Sequence, residues 1–193
     1  MRVTKAQAQA NRAHIVETAS ELFRERGYDG VGIADLMAAA GFTHGGFYKH
    51  FASKADLMAE AATCGLTQSL EEHAGQDIVQ FFNTYLSRQH RDARGTGCTM
   101  AALGGDAARQ PEEIKTAFAH GIEGMLAAIE RSGKTLVDVD PQTRRAKMLD
   151  ALAHVVGAVV LSRACPDDSP LADEILEACR TEVLAPLLPK AEA

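Results

Sequence analysis

The segment IADLMAAAGFTHGGFYKHF, residues 33–51, combines two short helical patterns with a glycine between them. Apolar residues recur at helical spacing from Ile33 to Ala40, which predicts one buried helix face. The glycine that follows allows a sharp turn, and a second helix is predicted from about Thr43 to Phe51. In that helix Phe47 and Phe51 lie one turn apart, so both rings are expected to point inward. Two short helices joined in this way form a helix-turn-helix.

The opposite face of the second helix is polar. It carries Thr43, His44, Lys49 and His50, with Tyr48 at its edge. Each of these side chains can donate a hydrogen bond to a phosphate or a base, and an α-helix fits the major groove of DNA. The pair Gly45-Gly46 costs a helix about 1 kcal/mol per glycine relative to alanine, and a close approach of the backbone to DNA would explain it. The alternative is a glycine loop with a solvated polar face, since helix-turn-helix geometry also occurs in proteins that do not bind DNA.

A longer helix precedes this segment and another follows it. The preceding helix is predicted to begin after Thr4, whose hydroxyl caps it with Gln7 as partner, and to end at Gly27. Its buried stripe is predicted to be Ile15, Ala19, Leu22 and Phe23. A second capping pattern, from Ser53 to Asp56, opens the following helix.

Proline, glycine and capping residues divide the rest of the chain into further helices. One is predicted from Asp77 to Arg94, and a glycine-interrupted one follows Cys98. The other predicted boundaries are Pro111 and Pro141 in first helical turns, Asp140 as an N-cap, Ser169-Pro170 opening a last helix through Leu184, and Pro166 and Pro186 as stops. No strand alternation competes with these patterns, so we expect an all-α protein of about nine helices.

The composition excludes several classes of protein. Of 193 residues, 46% are hydrophobic and 24% are charged, which is typical of a folded globular chain rather than a disordered one. The uncharged apolar run Ala151–Ser162 is shorter than the roughly 20 residues that cross a bilayer. Residues 1–14 lack the apolar run of a secretory signal. We therefore expect a cytoplasmic protein without a membrane partner.

The net charge of −6 is unevenly distributed. Residues 1–54 carry seven Lys and Arg against five Asp and Glu, whereas residues 55–193 carry 13 against 21. This asymmetry is compatible with an N-terminal part that contacts a polyanion. The cysteines form no C-x-x-C pair and have no histidine at metal-ligand spacing, so they indicate neither a zinc site nor a disulfide framework: Cys64, Cys98, Cys165 and Cys179.

From Ile15 to Met58 the sequence resembles, without a gap, the DNA-binding domain of TetR-family transcriptional regulators. The matching positions are Phe23, Gly27-Tyr28, Ala40-Gly41, Gly45, Tyr48, His50-Phe51 and Ser53-Lys54. Gly32 departs from the pattern, because the family usually has a serine or threonine there that caps the second helix and often binds a phosphate. Gly97–Pro111 is loosely similar to a branch of the family that includes regulators of drug-resistance genes.

The resemblance implies an architecture and a set of contacts. Residues 1–54 would form a three-helix helix-turn-helix domain, and residues 55–193 a larger helical bundle for ligand binding and dimerisation. The residues expected to bind DNA are Thr43, His44, Gly45, Gly46, Tyr48, Lys49, His50 and Lys54. Of these, Tyr48 and Lys54 would contact phosphate, and the segment from Thr43 to Lys49 would approach bases through Thr43, His44, Gly45 and Lys49. The expected partners are a palindromic operator in double-stranded DNA, a second copy of the chain and a small-molecule effector.

Two further sets of residues are predicted beyond residue 55. The helix over Ala151–Ser162 is apolar on nearly every side and must be covered there. With the last helix it predicts a dimer interface at Val155, Val159, Leu171, Ile175, Cys179 and Val183, unless a monomer core absorbs both helices. Candidate contacts to an apolar ligand are Phe81, Phe82, Tyr85, Met100, Phe118, His120, Met125, Met148 and His154. Each of these is alternatively a plain core residue.

The sequence contains no catalytic pattern, and we predict neither a metal site nor a cofactor. Asp150 and His154 lie four apart on one helix, but such pairs are more often hydrogen-bonded structure than metal ligands. We therefore expect a ligand-responsive DNA-binding repressor and not an enzyme. Two alternatives stay open. One is a redox-responsive regulator in which Cys98 or Cys64 receives the signal, and the other is a helical ligand-binding protein that keeps the helix-turn-helix only as a scaffold.

Overall fold

The computed structural model describes residues 4–132 and 139–185, and every regular element in those ranges is helical. The elements are α1 Lys5–Arg26, α2 Ile33–Ala39, a 3-10 helix His44–Lys49, α3 Lys54–Glu72, α4 Ile78–Tyr85, α5 Arg88–Asp92, α6 Thr99–Ala107, α7 Glu112–Ser132, α8 Pro141–Ala164 and α9 Pro170–Leu184. The all-α prediction is confirmed. Within the described ranges no helix combines the length and the apolar character that a membrane span requires.

These helices form two compact units. The N-terminal unit contains the chain up to Ser69 together with Arg94–Gly121. The C-terminal unit contains Leu70–Ala93 together with the chain from Ile122 onward. Helices α3 and α7 therefore contribute to both units. The boundary predicted after residue 54 separates a DNA-binding part from a ligand-binding and dimerising part, whereas the two units are defined by packing. The predicted boundary stays a prediction.

Predicted helix starts are confirmed where a side chain caps them. Thr4 Oγ1 accepts a hydrogen bond from the Gln7 amide at 3.2 Å at the start of α1. Ser53 Oγ accepts one from the Asp56 amide at 3.0 Å before α3. Asp140 accepts from two amides of the first turn of α8, at 3.1 and 3.0 Å. Each contact satisfies an amide that a first helical turn leaves without a partner.

The second helix of the helix-turn-helix is shorter and tighter than predicted. It is a 3-10 helix over His44–Lys49, not a helix from Thr43 to Phe51. Its hydrogen bonds join residues three apart, as between His50 N and Phe47 O at 2.9 Å. The two adjacent glycines explain the difference, because glycine disfavours a regular α-helix and 3-10 geometry suits short segments.

The helix predicted from Asp77 to Arg94 is instead the pair α4 and α5. The chain leaves helical geometry at Leu86, whose φ and ψ are −90° and 40°. Ser87 then starts α5, because its hydroxyl accepts a hydrogen bond from the His90 amide at 3.2 Å. A serine hydroxyl competes with the helix for backbone groups, which hydrophobic periodicity does not reveal. The predicted stop at Pro186 lies outside the described residues.

One apolar cluster forms the core of the N-terminal unit. The stripe predicted on α1 packs into it, with Ile15, Ala19 and Phe23 buried and Leu22 at its edge. Phe47 and Phe51 are buried as predicted, at 0% and 2% exposure. Gly41 has a φ of +78°, the left-handed conformation that the tight turn after α2 requires. The two aromatic rings therefore anchor the 3-10 helix while its other face stays in solvent.

In the C-terminal unit α8 packs along α9, and arginine side chains tie α5 to both helices. Arg91 is almost completely buried, and its Nη2 donates to the carbonyls of Ser162 and Cys165 at 3.1 and 3.2 Å. Arg88 Nη1 donates to Asp173 Oδ1 at 2.9 Å. A buried guanidinium is tolerated only when such partners replace water. The sequence analysis did not find this network.

Candidate nucleic-acid interface

Residues 43–50 form the recognition segment, which presents polar groups on the outside of the N-terminal unit. Its exposed members are Thr43, His44, Gly45, Tyr48 and Lys49, whereas Gly46 and His50 are half-buried. Tyr48 is 66% exposed, and its ring packs edge-on against Phe47 with 5.1 Å between centroids. Exposed donors on a buried aromatic base are suited to contact phosphates and bases without rearranging the core.

Gly45 has no packing role within the described structure. A Cβ at Gly45 would meet nothing within 4 Å, and one at Gly46 would lie 3.5 Å from Met37 Cε, an ordinary contact. Packing of the N-terminal unit therefore requires glycine at neither position. A surface on which the bare backbone approaches DNA gives the pair a physical reason.

Lys54, expected to contact phosphate, already has a partner inside the N-terminal unit. Its Nζ donates to the Tyr28 carbonyl at 2.6 Å and lies 5.9 Å from the centroid of the Phe23 ring. The ammonium thus ties the start of α3 to the chain just after α1. An ammonium has three donors, so a phosphate contact remains open to it. Replacing Lys54 would change both interactions at once.

Arg12 on α1 is a functional candidate that the sequence analysis missed. Its Nε donates to the His50 carbonyl at 3.2 Å, and its guanidinium carbon lies 4.7 Å from the centroid of the Phe51 ring. Its two terminal nitrogens donate to the two carboxylate oxygens of Glu60 on α3. These hydrogen bonds raise the pKa of Arg12 above its ordinary value. The only sequence signal was its place three residues before Ile15, beside the buried stripe.

The N-terminus of α2 lacks the cap that the family pattern includes. Gly32 is the N-cap, and no side chain caps this helix. A Cβ at Gly32 would lie 3.2 Å from Asp35 Oδ2, so a carboxylate stands beside the cap. Like charges repel, so this carboxylate opposes a phosphate contact here. The recognition segment is therefore a better candidate for phosphate contacts than the start of α2.

The predicted ligand contacts are divided between the two units. Met100, Phe118 and His120 belong to the N-terminal unit, and Phe81, Phe82, Tyr85, Met125, Met148 and His154 to the C-terminal unit. In the C-terminal unit the centroids of Phe81 and Tyr85 are 5.5 Å apart, and those of Tyr85 and His90 are 4.4 Å apart. Rings in contact at such distances are typical of core packing, the alternative that the sequence left open.

A cleft of about 480 Å³ opens within the N-terminal unit, between α1, α3 and α7. Of the predicted ligand contacts, only His120 lines this cleft. Its lining includes the carboxylates of Asp56, Glu60 and Glu113, and an apolar molecule gains nothing from such groups. This cleft therefore differs in chemistry from the apolar pocket that the sequence predicted.

The predicted dimer-interface residues are partly buried within the protomer. Val155 and Val159 are 1% and 0% exposed, because they pack inside the C-terminal unit. Val183 is also buried, and Ile175 and Cys179 are half-buried. On α8 and α9 the exposed large apolar side chains are Leu149, Val160, Leu161 and Leu171. We call Val160, Leu161 and Leu171 the C-terminal apolar surface.

Over residues 4–132 and 139–185 no three His, Cys, Asp or Glu side chains are grouped so as to hold a metal ion. The four cysteines are all described, and none is bonded to another. Cys98 is buried and the other three are half-buried.

The recognition segment lies in a part of the chain that is similar to known proteins. Residues 15–61 match the family model of bacterial regulatory proteins, tetR family. Residues 15–61 are thus similar to the helix-turn-helix domain of the TetR family. The resemblance drawn from the motif positions is therefore confirmed, and the recognition segment lies inside the matched range.

Individual relatives are more similar to this chain over short alignments than over long ones. The transcriptional regulator AcrR of Shigella flexneri is 41% identical over 59 residues, which cover 31% of this chain and 27% of AcrR. The repressor NemR of Escherichia coli K12 is 24% identical over 131 residues, 63% of this chain and 66% of NemR. The alignment with AcrR thus spans about a quarter of that protein's length.

Solved structures extend the TetR-like fold along nearly the whole chain. The reduced form of E. coli NemR superposes with a TM-score of 0.73 at 20% identity, covering 90% of this chain and 95% of NemR. AibR, solved in complex with isovaleryl coenzyme A and operator DNA, gives a TM-score of 0.54 at 20% identity, covering 89% of this chain and 97% of AibR. At such identities the likeness shows the fold alone.

Proposed function

We propose that this protein is a transcriptional repressor that binds a two-fold symmetric operator as a homodimer and is released by a small molecule. The observation that carries the proposal is the recognition segment, with exposed donors on a buried aromatic base inside the TetR-family domain. Residues 1–54 would read DNA, and residues 55–193 would bind the effector and dimerise.

The recognition segment of each copy would enter one of two successive major grooves. Thr43, His44 and Lys49 would approach base edges together with the Gly45 backbone, and Tyr48 would donate to a phosphate. In a symmetric dimer the half-sites lie about one helical turn, or a multiple of it, apart. Because phosphate contacts release counterions, affinity would fall steeply as salt rises.

The C-terminal apolar surface supports a homodimer. Val160, Leu161 and Leu171 are exposed on α8 and α9, and large aliphatic side chains gathered at a surface favour a protein partner. A palindromic operator requires a partner related by two-fold symmetry, which a second copy provides. Val155 and Val159 would support this surface from within the protomer.

Release by a ligand requires a difference in affinity between two states of the protein. A small molecule displaces DNA only when it binds the state that does not fit DNA more tightly than the state that does. AibR, which was solved with both a coenzyme A ester and operator DNA, supports the pairing of these two kinds of partner on this fold.

The decisive experiment is selection of duplexes from a random DNA library by the purified full-length chain. We expect an enriched palindrome with half-sites about one helical turn apart. No enrichment at low salt, from protein shown to be folded, dimeric and free of a co-purified ligand, would contradict the proposal. Turnover of a small molecule together with that result would favour the scaffold alternative.

Single variants then separate base contacts from phosphate contacts. Thr43→Ala and His44→Ala should change sequence preference, each by about 1–3 kcal/mol at one base position. Tyr48→Phe removes only a hydroxyl and should weaken binding equally for all sequences. Unchanged preference in both Thr43→Ala and His44→Ala would contradict the assignment of base contacts.

A redox-responsive regulator is the second candidate, favoured by the surroundings of Cys98. This residue is the N-cap of α6, and Arg24 donates on either side of it, to Gly95 O at 2.6 Å and to Thr99 Oγ1 at 3.5 Å. A helix N-terminus and a guanidinium side chain thus lie beside this buried cysteine in the chain. Peroxide should then release DNA reversibly from the wild type and not from Cys98→Ser. Cys64→Ser is the matched control.

A further inference from the structure

Arg12 joins three elements of the N-terminal unit at the end of the recognition segment. From α1 it donates through Nε to the His50 carbonyl and covers the Phe51 ring. Its terminal nitrogens donate to Glu60 on α3, with one carboxylate oxygen for each nitrogen. One side chain thereby contacts His50, which lies 38 positions further along the chain, and Glu60, which lies 48 positions further.

The geometry of this contact restricts the direction of the remaining donor. A paired guanidinium and carboxylate share a plane, so Glu60 orients the Arg12 side chain. With that plane set, Nε points to the His50 carbonyl, directly after the 3-10 helix. A six-residue 3-10 helix has few hydrogen bonds of its own, so its orientation depends on outside anchors. Phe47 and Phe51 supply the apolar anchor, and Arg12 supplies the polar one.

We propose that Arg12 and Glu60 are positioning residues that hold the recognition segment in the orientation that reads DNA, without touching DNA themselves. This inference rests on the proposed DNA-binding function. It assigns a role in binding to Glu60, an acidic residue that a search for DNA-contacting side chains would pass over. The pair acts through the His50 carbonyl and the Phe51 ring.

Glu60→Gln separates this role from general electrostatics. The substitution removes a negative charge from the unit that meets a polyanion, so charge alone predicts tighter DNA binding. Positioning predicts weaker binding, because a neutral amide cannot accept both guanidinium bonds as the carboxylate does. The two explanations therefore predict changes of opposite sign for one variant.

The test measures affinity of the full-length protein for the selected duplex at several salt concentrations. We expect Glu60→Gln and Arg12→Ala each to weaken binding about tenfold, the scale of a lost charge-assisted hydrogen bond. Arg12→Lys keeps the positive charge but cannot form two parallel hydrogen bonds with Glu60. Its affinity should therefore lie between those of the wild type and Arg12→Ala. The slope of log affinity against log salt should stay at the wild-type value, since no phosphate contact is lost.

Matched controls come from the same helix. Glu17→Gln removes an exposed carboxylate from α1, and Arg26→Ala removes an α1 guanidinium whose ion pair is with the neighbouring Glu25. Glu17→Gln should leave affinity unchanged or raise it. Unchanged or tighter binding by Glu60→Gln would overturn the proposal. A salt slope smaller by about 1 in Arg12→Ala would instead make Arg12 a phosphate contact.

Amide hydrogen exchange gives a readout that does not depend on DNA. The amides of His50 and Phe51 both donate to the Phe47 carbonyl, at 2.9 and 3.1 Å. Glu60→Gln should speed their exchange relative to Glu17→Gln. If the wild type binds no duplex but Glu60→Gln speeds exchange of these amides, the proposed function fails and the positioning role of Arg12 and Glu60 stands. If the wild type binds DNA and Glu60→Gln changes neither amide exchange nor affinity, only the positioning role of Arg12 and Glu60 is wrong.

Discussion

The recognition segment and the C-terminal apolar surface are both exposed, yet their chemistry is opposite. In the recognition segment the Phe47 ring points inward, whereas Tyr48 and the other hydrogen-bonding groups face water. On α8 and α9 aliphatic side chains face water, with Leu161 60% exposed. Water solvates the first surface well and the second poorly. The first therefore suits a polyanion that is bound and released, and the second suits a protein partner that stays.

The same contrast explains where sequence similarity is found. The family match covers residues 15–61, whereas over most of the chain the identity to NemR is only 24% or lower. Contacts to base edges and phosphates need particular donors at fixed spacing. An apolar interface needs only side chains of suitable size, which many sequences provide. Similarity over the whole C-terminal unit is therefore not expected even among proteins that assemble alike.

Leu161→Asp should have the largest effect, because it places a charge at the most exposed side chain of the C-terminal apolar surface. An unpaired carboxylate buried between two copies costs several kcal/mol. We expect monomers in sedimentation equilibrium and a loss of operator affinity of at least about 100-fold, which is about 2.7 kcal/mol. Leu161→Met keeps an apolar side chain of similar volume and should remain dimeric. A dimeric Leu161→Asp protein would mean that the second copy contacts another surface.

Gly45→Ala should increase the stability of the fold and decrease the affinity for DNA. A Cβ there meets nothing within 4 Å, so alanine should raise the free energy of unfolding by about 0.5–1 kcal/mol. On DNA the same methyl group would hold the backbone away from the groove, and we expect affinity to fall about tenfold. Denaturant unfolding and binding to the selected duplex measure the two effects.

The control for Gly45→Ala is Gly104→Ala, a helical glycine of the same unit where a Cβ also meets nothing within 4 Å. It should stabilise the fold without changing DNA affinity. Equal affinities of Gly45→Ala and wild type would show that the backbone of the recognition segment does not approach DNA closely. The difference in polarity between the recognition segment and the C-terminal apolar surface would then come from side chains alone.

Features formed by residues close together in the sequence could be predicted, whereas contacts between distant residues could not. The recognition segment was predicted because its turn, its aromatic spacing and its polar face all lie within residues 33–51. The pair Arg12 and Glu60 joins residues 48 positions apart, and helical periodicity carries no information about that distance. The break at Ser87 was missed for a related reason, since a hydroxyl cap overrides an apolar pattern that continues through it.

The exposed face of α8 could not be assigned from its own sequence. Residues 151–162 are apolar on nearly every side, so periodicity does not distinguish Val159 from Val160. The structure distinguishes them, because Val155 and Val159 are buried inside the C-terminal unit, where α8 packs along α9, and Val160 is exposed. The sequence of α8 alone does not contain this information.

The smallest predicted effect is a pH dependence of the C-terminal unit, which contains a mostly buried imidazole. Burial lowers the pKa of His90 below its ordinary value of 6.5, and the charges of Arg163 and His73 act in the same direction. The hydrogen bond between its Nδ1 and the Tyr85 carbonyl, 2.7 Å long, opposes this without cancelling it. As pH falls below about 6.5 the unfolded chain therefore binds more protons than the folded one.

The stability that neutral His90 contributes should thus be complete above that pH and decline below it, with a slope of at most about 1.4 kcal/mol per pH unit. Denaturant unfolding at pH 7.5, 6.5 and 5.5 measures this for the wild type and for His90→Gln, which keeps a donor toward the Tyr85 carbonyl and does not titrate. The difference in unfolding free energy between the two proteins should shift in favour of the variant as pH falls. Parallel profiles would show that His90 does not titrate differently in the folded and unfolded chains, and that its burial adds no pH dependence to the stability of the C-terminal unit.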